Sequence, residues 1–299
     1  MPYTHLVVVA CHAHFLGDPE ADDCDVYSPQ QWNLQSFQQP CGHKPGEHET
    51  FLDHIQAGLK TLSFGATKDN SILVLSGGYT ASSIRLSEAR SYFRAAVALT
   101  KASGHSGSYE NLLGSRIFLE EHATDSYQNL LFSVLCFKKA IGRYPETVQI
   151  ITHAFKTERF LVRQRTCLEK ETVSNTWQMS HAKAIRWPSD RIRVQGIDPV
   201  MSGESLPVML RLNWTNRSLE EEFNDTKNGE KQRGFLPWTR DLYGTRDPLR
   251  QKRIQRGWQD ITLDVLSAGL EQEVGELLRY NGGDDGQTLY YGNLPWCQV

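Results

Sequence analysis

The sequence predicts an α/β protein built on a mainly parallel sheet with helices on both faces. Two observations lead there. Short β-branched runs without polar alternation recur along the first two-thirds of the chain, and amphipathic helix-period stretches separate them. Strand, helix, strand, helix at that spacing means βαβ units. A third feature, the change of pattern near residue 203, sets off a C-terminal extension.

Residues 5–10 (HLVVVA) contain no alternation and predict a strand buried on both sides. A long loop rich in Pro, Gly, Asp and Gln follows. Residues 49–62 (ETFLDHIQAGLKTL) then place Phe51, Leu52, Ile55, Leu59 and Leu62 on one side of a helix. Residues 71–75 (SILVL) predict a second strand, ending at Ser76-Gly77-Gly78, and residues 82–100 a helix. Residues 115–119 predict the third strand, ending at Glu120-Glu121. Asp125 stands where a helix cap is wanted and Gly142 where that helix would stop. Residues 147–151 (TVQII) are the fourth strand, running into Thr152-His153 and another helix, and residues 191–195 (RIRVQ) the fifth. The expected division is an α/β domain over residues 1–202 and an extension over 203–299. Trp214, Trp238, Trp258 and Trp296 suit an extension packed on the body, with a helix over 269–279 and a turn over 282–286.

Composition narrows the function classes. The 299 residues are 39% hydrophobic and 22% charged, which excludes a fibre or a wholly disordered chain. Lys and Arg number 32 against 35 Asp and Glu, a net charge of −3 that gives no support to nucleic-acid binding. No apolar run approaches the roughly 20 residues of a membrane span. The apolar stretch 6–11 lacks a basic flank, so it is expected to be a strand rather than a signal peptide, and the protein cytoplasmic. The cysteines Cys11, Cys24, Cys41, Cys136, Cys167 and Cys297 form no C-x-x-C pair and suit reduced thiols. The crowded N-x-[S/T] triplets at Asn213, Asn216 and Asn224 are expected to be chance.

Ligands of doubly wound sheets sit outside the carboxyl ends of the strands. Those ends carry Cys11-His12-Ala13-His14, Ser76-Gly77-Gly78, Glu120-Glu121-His122 followed by Asp125, and Thr152-His153. Ser76-Gly77-Gly78 either brings backbone donors close to a ligand or makes a tight turn. It matches neither a dinucleotide fingerprint nor a Walker loop. His153, Lys156 and Arg159 oppose a helix dipole at their position, which an anionic ligand would explain; a surface patch paired with Glu158 is the alternative. Glu88, Glu120 and Asp125 are the nearby acids, able to act as acid and base or to hold a divalent ion; Asp125 and Glu88 also suit cap and first-turn positions. Asn129 shares a helix face with Asp125. Cys11, His12 and His14 with Asp22, Asp23, Cys24 and Asp25 fit no familiar zinc spacing. A Cys11–His153 nucleophile–base pair is conceivable, and no G-x-S-x-G elbow is present.

In order, the segments ILVLSGG (72–78), Ser87-Glu88-Ala89, Glu120 with DSYQN (125–129), and THAFK (152–156) through Arg159 resemble the family that includes the bacterial SanA, ElyC and YdcF proteins. LVVVACHAHF (6–15), ATDSYQNLL (123–131) and residues 184–199 with Trp187-Pro188 are similar to its eukaryotic, chiefly fungal, branch. The resemblance covers residues 1–200 and, less closely, the tail. It implies a Rossmann-like three-layer αβα sandwich and S-adenosylmethionine as a cofactor. It carries Ser76, Gly77, Gly78, Glu88, Glu120, Asn129, Thr152, His153 and Arg159 into the crevice pattern. The Cys-His-Ala-His loop, an insertion over residues 165–179 and Asp125-Ser126 depart from the family.

The expectation is a small-molecule binder, or an enzyme, taking an anionic or adenosyl-containing ligand. Gly77 and Gly78 would offer backbone donors, and His153, Lys156 and Arg159 would meet the negative group. Glu88 or Glu120 would hold a hydroxyl, an amine or a metal ion, with His153 as the acid–base group and Cys11 and His12 beside it. Two alternatives stand beside it. One is hydrolysis or group transfer through Cys11 or a metal. The other is a scaffold docking a protein partner through residues 227–258, which carry nine Lys and Arg against three Asp and Glu.

Overall fold

The computed structural model describes residues 3–41, 44–104, 109–161, 180–199 and 217–297. Its centre is a five-stranded parallel sheet in the order β5-β4-β1-β6-β7. The strands are β1 (His5–Ala10), β4 (Ser71–Ser76), β5 (Ile117–Glu120), β6 (Thr147–Thr152) and β7 (Ile192–Gly196). The chain builds outward from β1 through β4 to β5, then returns to start the other half at β6. The topological switch therefore lies between β1 and β6, where an open α/β sheet parts to admit a ligand.

The two faces explain the unbroken apolar runs. Along β1 the side chains alternate, Leu6 and Val8 to one core, Val7 and Val9 to the other, and all four are fully buried. The Val7 side is covered by α1 (Glu47–Ser63) and α2 (Glu88–Ala102). The Leu6 side is covered by α3 (Ser126–Ile141) and the C-terminal extension. This is the predicted Rossmann-like three-layer sandwich.

Local signals set most boundaries. Asp125 caps α3 by accepting from the Gln128 amide at 2.9 Å, and Gly142 ends it at φ 84°, in the left-handed region that favours glycine. The helix expected from residue 82 begins at Glu88 instead. Ser87 is its cap, accepting from the Arg90 amide at 3.0 Å, so residues 79–86 stay in a loop. The third and fifth strands lie one or two residues later than expected. The helix expected over 269–279 is Gln272–Arg279, because Gly269 turns at φ 74° before it. Inside the loop after β1 a two-stranded antiparallel piece, β2 (His14–Phe15) with β3 (Trp32–Asn33), buries Phe15 and Trp32.

The extension packs on the body as expected. After the short helices α4 (Thr157–Phe160) and α5 (His181–Ala184), α6 (Arg217–Glu230) runs on through a π-helical turn (Lys231–Phe235) into Leu236–Trp238; α7 (Leu249–Gln255), α8 (Thr262–Ser267) and α9 (Gln272–Arg279) follow. Trp238 and Trp296 are buried, Trp296 donates to the Ile185 carbonyl at 2.8 Å, and Trp258 stacks on Phe132. The insertion at 165–179, Cys167, Asn213, Trp214, Asn216 and the boundary at 202–203 lie outside the described residues.

Candidate functional site

A cavity of about 750 Å³ opens above the carboxyl ends of β1 and β6. Cys11, His12, Glu88, Asp125, Asn129, Thr152, His153, Lys156 and Arg159 line it, as the strand-end argument anticipated. Ser76, Gly77, Gly78 and Glu120 do not form its walls; they lie in the framework behind them.

That framework corrects the role expected of the glycines. The Gly77 and Gly78 amides donate to the carbonyls of Glu120 and Ala123 at 3.0 and 2.7 Å, so neither is left for a ligand. A Cβ on Gly77 would come within 2.9 Å of the Glu88 and Cys11 side chains. The Ser76-Gly77-Gly78 segment is thus a close-packing device that lets α2 sit against β1 and β4. Glu120 is spent similarly. Its Oε2 accepts from Ser76 Oγ at 2.5 Å, and its Oε1 from the His122 and Ala123 amides at 2.7 and 3.0 Å. Asn129 completes the knot by donating to the Ser76 carbonyl and hydroxyl oxygens, both at 2.9 Å. Burial nevertheless pushes the Glu120 carboxyl up to about 7. Glu88 accepts from Thr80 Oγ1, and its carboxyl is also raised, first by burial.

At the switch point three histidines gather. The His12 and His153 rings are 4.6 Å apart between centroids, His54 and His153 5.0 Å, and His12 and His54 5.7 Å. Burial first, then the Lys156 charge, holds His12 and His153 well below the ordinary histidine range, and His54 falls to about 4. All three are therefore neutral near pH 7. Lys156 Nζ lies 3.2 Å from His12 Nδ1; donating there, it leaves His12 Nε2–H to donate to Thr152 Oγ1 at 3.2 Å. His54 Nε2 donates to the Ile197 carbonyl at 2.9 Å. His153 differs from both. It is 1% exposed, and neither ring nitrogen has a hydrogen-bond partner. Its Nε2 lies 4.0 Å from Glu47 Oε2, beyond direct hydrogen bonding, and its ring stacks on Phe155.

Sequence reasoning missed Glu47 and His54. They stand seven residues apart on α1, two helical turns, so one helix face delivers both to the end of β6. The sequence carries that periodicity, but the helix expected over 49–62 begins at Glu47, two residues earlier. Missed too was the far wall. Glu230, Arg233 and Gly234 from the end of α6 and the π-turn, with Lys252 and Arg256 on or just after α7, close the cavity from above. Within the basic stretch 227–258, Arg233, Lys252 and Arg256 face this cavity. Arg253 pairs with Asp125 at 2.5 Å, and Arg159 pairs with Glu230.

Cys11 lies in the wall but is a poor nucleophile. Burial, then Glu88 and Glu120, pushes its thiol well up, which disfavours the thiolate that reaction requires. Among the described residues no three His, Cys, Asp or Glu side chains gather in an arrangement able to hold a metal ion, and no helix is long and apolar enough to cross a membrane.

Comparison with known proteins adds one relative. The chain is similar to a yeast protein. This uncharacterized protein of Saccharomyces cerevisiae, YOR238W, is 24% identical over 283 residues, covering 84% of this chain and 82% of the yeast protein. No family model matches, and no solved structure matches. The yeast protein's own name assigns no activity.

Proposed function

We propose that this protein binds an anionic small molecule with a nucleoside-like end in the crevice between β1 and β6, and that His153 is the acid–base group there. One observation carries the reading: a histidine buried to 1% exposure, with both nitrogens unpartnered, in the wall of a large cavity at the topological switch. A buried polar group without a partner costs about 1–3 kcal/mol, a cost that a hydrogen-bonding ligand removes. Burial and the Lys156 charge keep its ring neutral, and an anion bound beside it would raise it back towards the range that acid–base work needs.

Other wall residues support the two ends of such a ligand. Lys156, Arg159, Lys252 and Arg256 give one side positive charge. Phe37, 55% exposed, offers a flat apolar face beside the polar side chains of Asn33 and Gln35. The resemblance to the SanA, ElyC and YdcF proteins points to S-adenosylmethionine. A basic lining favours a phosphate over that cofactor, whose sulfonium and ammonium are themselves cationic. A transferase or hydrolase acting on the anionic ligand is the reaction class this arrangement suits.

Titration calorimetry with AMP, ADP, S-adenosylmethionine and sugar phosphates tests the reading. Binding of at least one compound, weakened tenfold or more by His153→Ala, is expected. Flat titrations across the panel, or unchanged affinity in the variant, would overturn it.

A further inference from the structure

The wall supplied by the C-terminal extension brings together like charges that the fold does not neutralise one for one. Arg233 stands in the π-turn; Lys252 and Arg256 are four residues apart and share one face at the end of α7. Lys156 and Arg159 approach the same space from the end of β6, and all five line the one cavity. Lys252 is held below its ordinary value by burial first and then by Arg159, Arg256 and Arg233, with Glu230 opposing. Glu230 is also the largest favourable charge on Lys156. Among the described residues, then, Glu230 and Asp225 are the carboxylates of the extension set against five cations at this end, with Glu47 acting on Lys156 from the other side. Of the remaining acids in the wall, Asp125 is engaged by Arg253, Glu88 is held by Thr80, and Glu47 lies between His153 and the Lys156 charge.

Two details suggest what the cluster awaits. The Nε of Arg159 is buried and has no hydrogen-bond partner, although Arg159 is paired with Glu230 through its terminal nitrogen. Gly234 lies against that pair, where any Cβ would overlap the Arg159 guanidinium and the Glu230 carboxylate. The π-turn that presents Gly234 and Arg233 is a distortion frequently found at functional sites. Glu230 therefore occupies, on Arg159, a place that an incoming anion can take.

We propose that Lys156, Arg159, Arg233, Lys252 and Arg256 form a subsite for a diphosphate group, and that Glu230 is its resident counter-ion, yielding Arg159 when the ligand enters. Charge decides between one phosphate and two. Five cations less Glu230 and Asp225 leave an excess of about three, whereas a phosphate monoester carries only about two negative charges near neutrality. A terminal diphosphate adds a further ionised oxygen and spans more of the cluster. The proposal rests on the crevice being an anion site, and it adds the ligand class and the origin of its selectivity in the extension.

The test is titration calorimetry of the full chain with inorganic pyrophosphate, orthophosphate, ADP and adenosine at one fixed salt concentration. Pyrophosphate is expected to bind at least tenfold more tightly than orthophosphate. Arg233→Gln and Lys252→Gln, at positions open enough to tolerate exchange, should each weaken pyrophosphate about tenfold or more, the range of a lost charge-assisted hydrogen bond. Glu230→Gln should tighten it several-fold by removing the competitor. Equal affinity for the two inorganic anions, indifference to both cation variants, or weaker binding in Glu230→Gln would each overturn the diphosphate subsite. If His153→Ala abolishes ADP binding while the cation variants do not weaken it, the subsite fails and the crevice reading stands. ADP binding more tightly than pyrophosphate, with adenosine weak, would support a nucleoside diphosphate over other diphosphate esters.

Discussion

Asp125 and Arg253, 128 residues apart in sequence, form a 2.5 Å ion pair that joins the cap of α3 to α7 of the C-terminal extension. The two side chains are only 13% and 9% exposed, and Asp125 also caps α3 through its other oxygen. Removing one partner of a buried pair leaves an uncompensated charge, at a cost of about 3–5 kcal/mol. Asp125→Asn, which keeps the cap oxygen, should lower the urea midpoint and speed proteolysis within the extension. Burial alone would raise the Asp125 carboxyl, but the Arg253 charge and hydrogen bond outweigh it, and the carboxyl lies below its ordinary value. The pair's contribution is therefore full above about pH 4. It is lost as pH falls through the lowered value. A variant with wild-type acid unfolding and an unchanged urea midpoint would show that the pair does not hold the extension.

The fold was legible because each strand declared itself locally. A run such as HLVVVA has one stable environment, between two helical layers, and the Asp125 and Gly142 signals bound α3. The strand ends then located the crevice. What could not be read was which strand-end groups face the cavity. Glu120 and Gly77 look like ligand-binding residues in one dimension, yet their hydrogen bonds close on Ser76, Ala123 and Glu120 itself. The cations of the extension were visible as a charge imbalance, but their inward direction depends on tertiary pairs such as Asp125–Arg253. No local pattern encodes those.

Glu120 makes the fold sensitive to pH in the opposite sense. Its carboxyl is raised by burial from 4.5 to about 7, against the opposing pull of Ser76 and two backbone amides. Between those values the folded protein keeps a proton that the unfolded chain has released, so stability falls as pH rises from about 4.5 to about 7. At ~1.4 kcal/mol per pK unit, the order of magnitude is about 3 kcal/mol. Denaturant unfolding from pH 4.5 to 8 should show a flatter dependence for Glu120→Gln than for the wild type. Parallel curves would mean the carboxyl does not carry this proton.

Thiol labelling separates Cys11 from a catalytic role. Its Sγ is buried and directed at the Val9 carbonyl, 3.8 Å away, while burial and two neighbouring glutamates disfavour the thiolate. Cys41 and Cys297 are exposed. A disulfide reagent at pH 7.5 should modify the exposed pair rapidly and Cys11 only on unfolding, as peptide mass spectrometry would register. Rapid native-state labelling of Cys11 would restore a nucleophile to the crevice.

Lys156 gives anion binding its own pH signature. Burial lowers its ammonium to about 8; Arg159 and Arg256 push the same way, and Glu230 and Glu47 oppose them. His12, His153 and His54 beside Lys156 are neutral throughout this range, while Glu88 also feels the Lys156 charge. Lys156 is thus charged below about pH 8 and loses its proton above it, so a phosphate ligand should bind progressively more weakly as pH rises through that value. The ligand's own second ionisation, near pH 6, makes affinity rise on the acid side. The expected profile for ADP is a bell with its upper limb set by Lys156. Lys156→Arg should extend that limb to higher pH, because a guanidinium stays charged. Lys156→Met should remove the limb and lower the plateau by about tenfold or more. An unchanged upper limb in both variants would assign the proton to another group and take Lys156 out of the anion site.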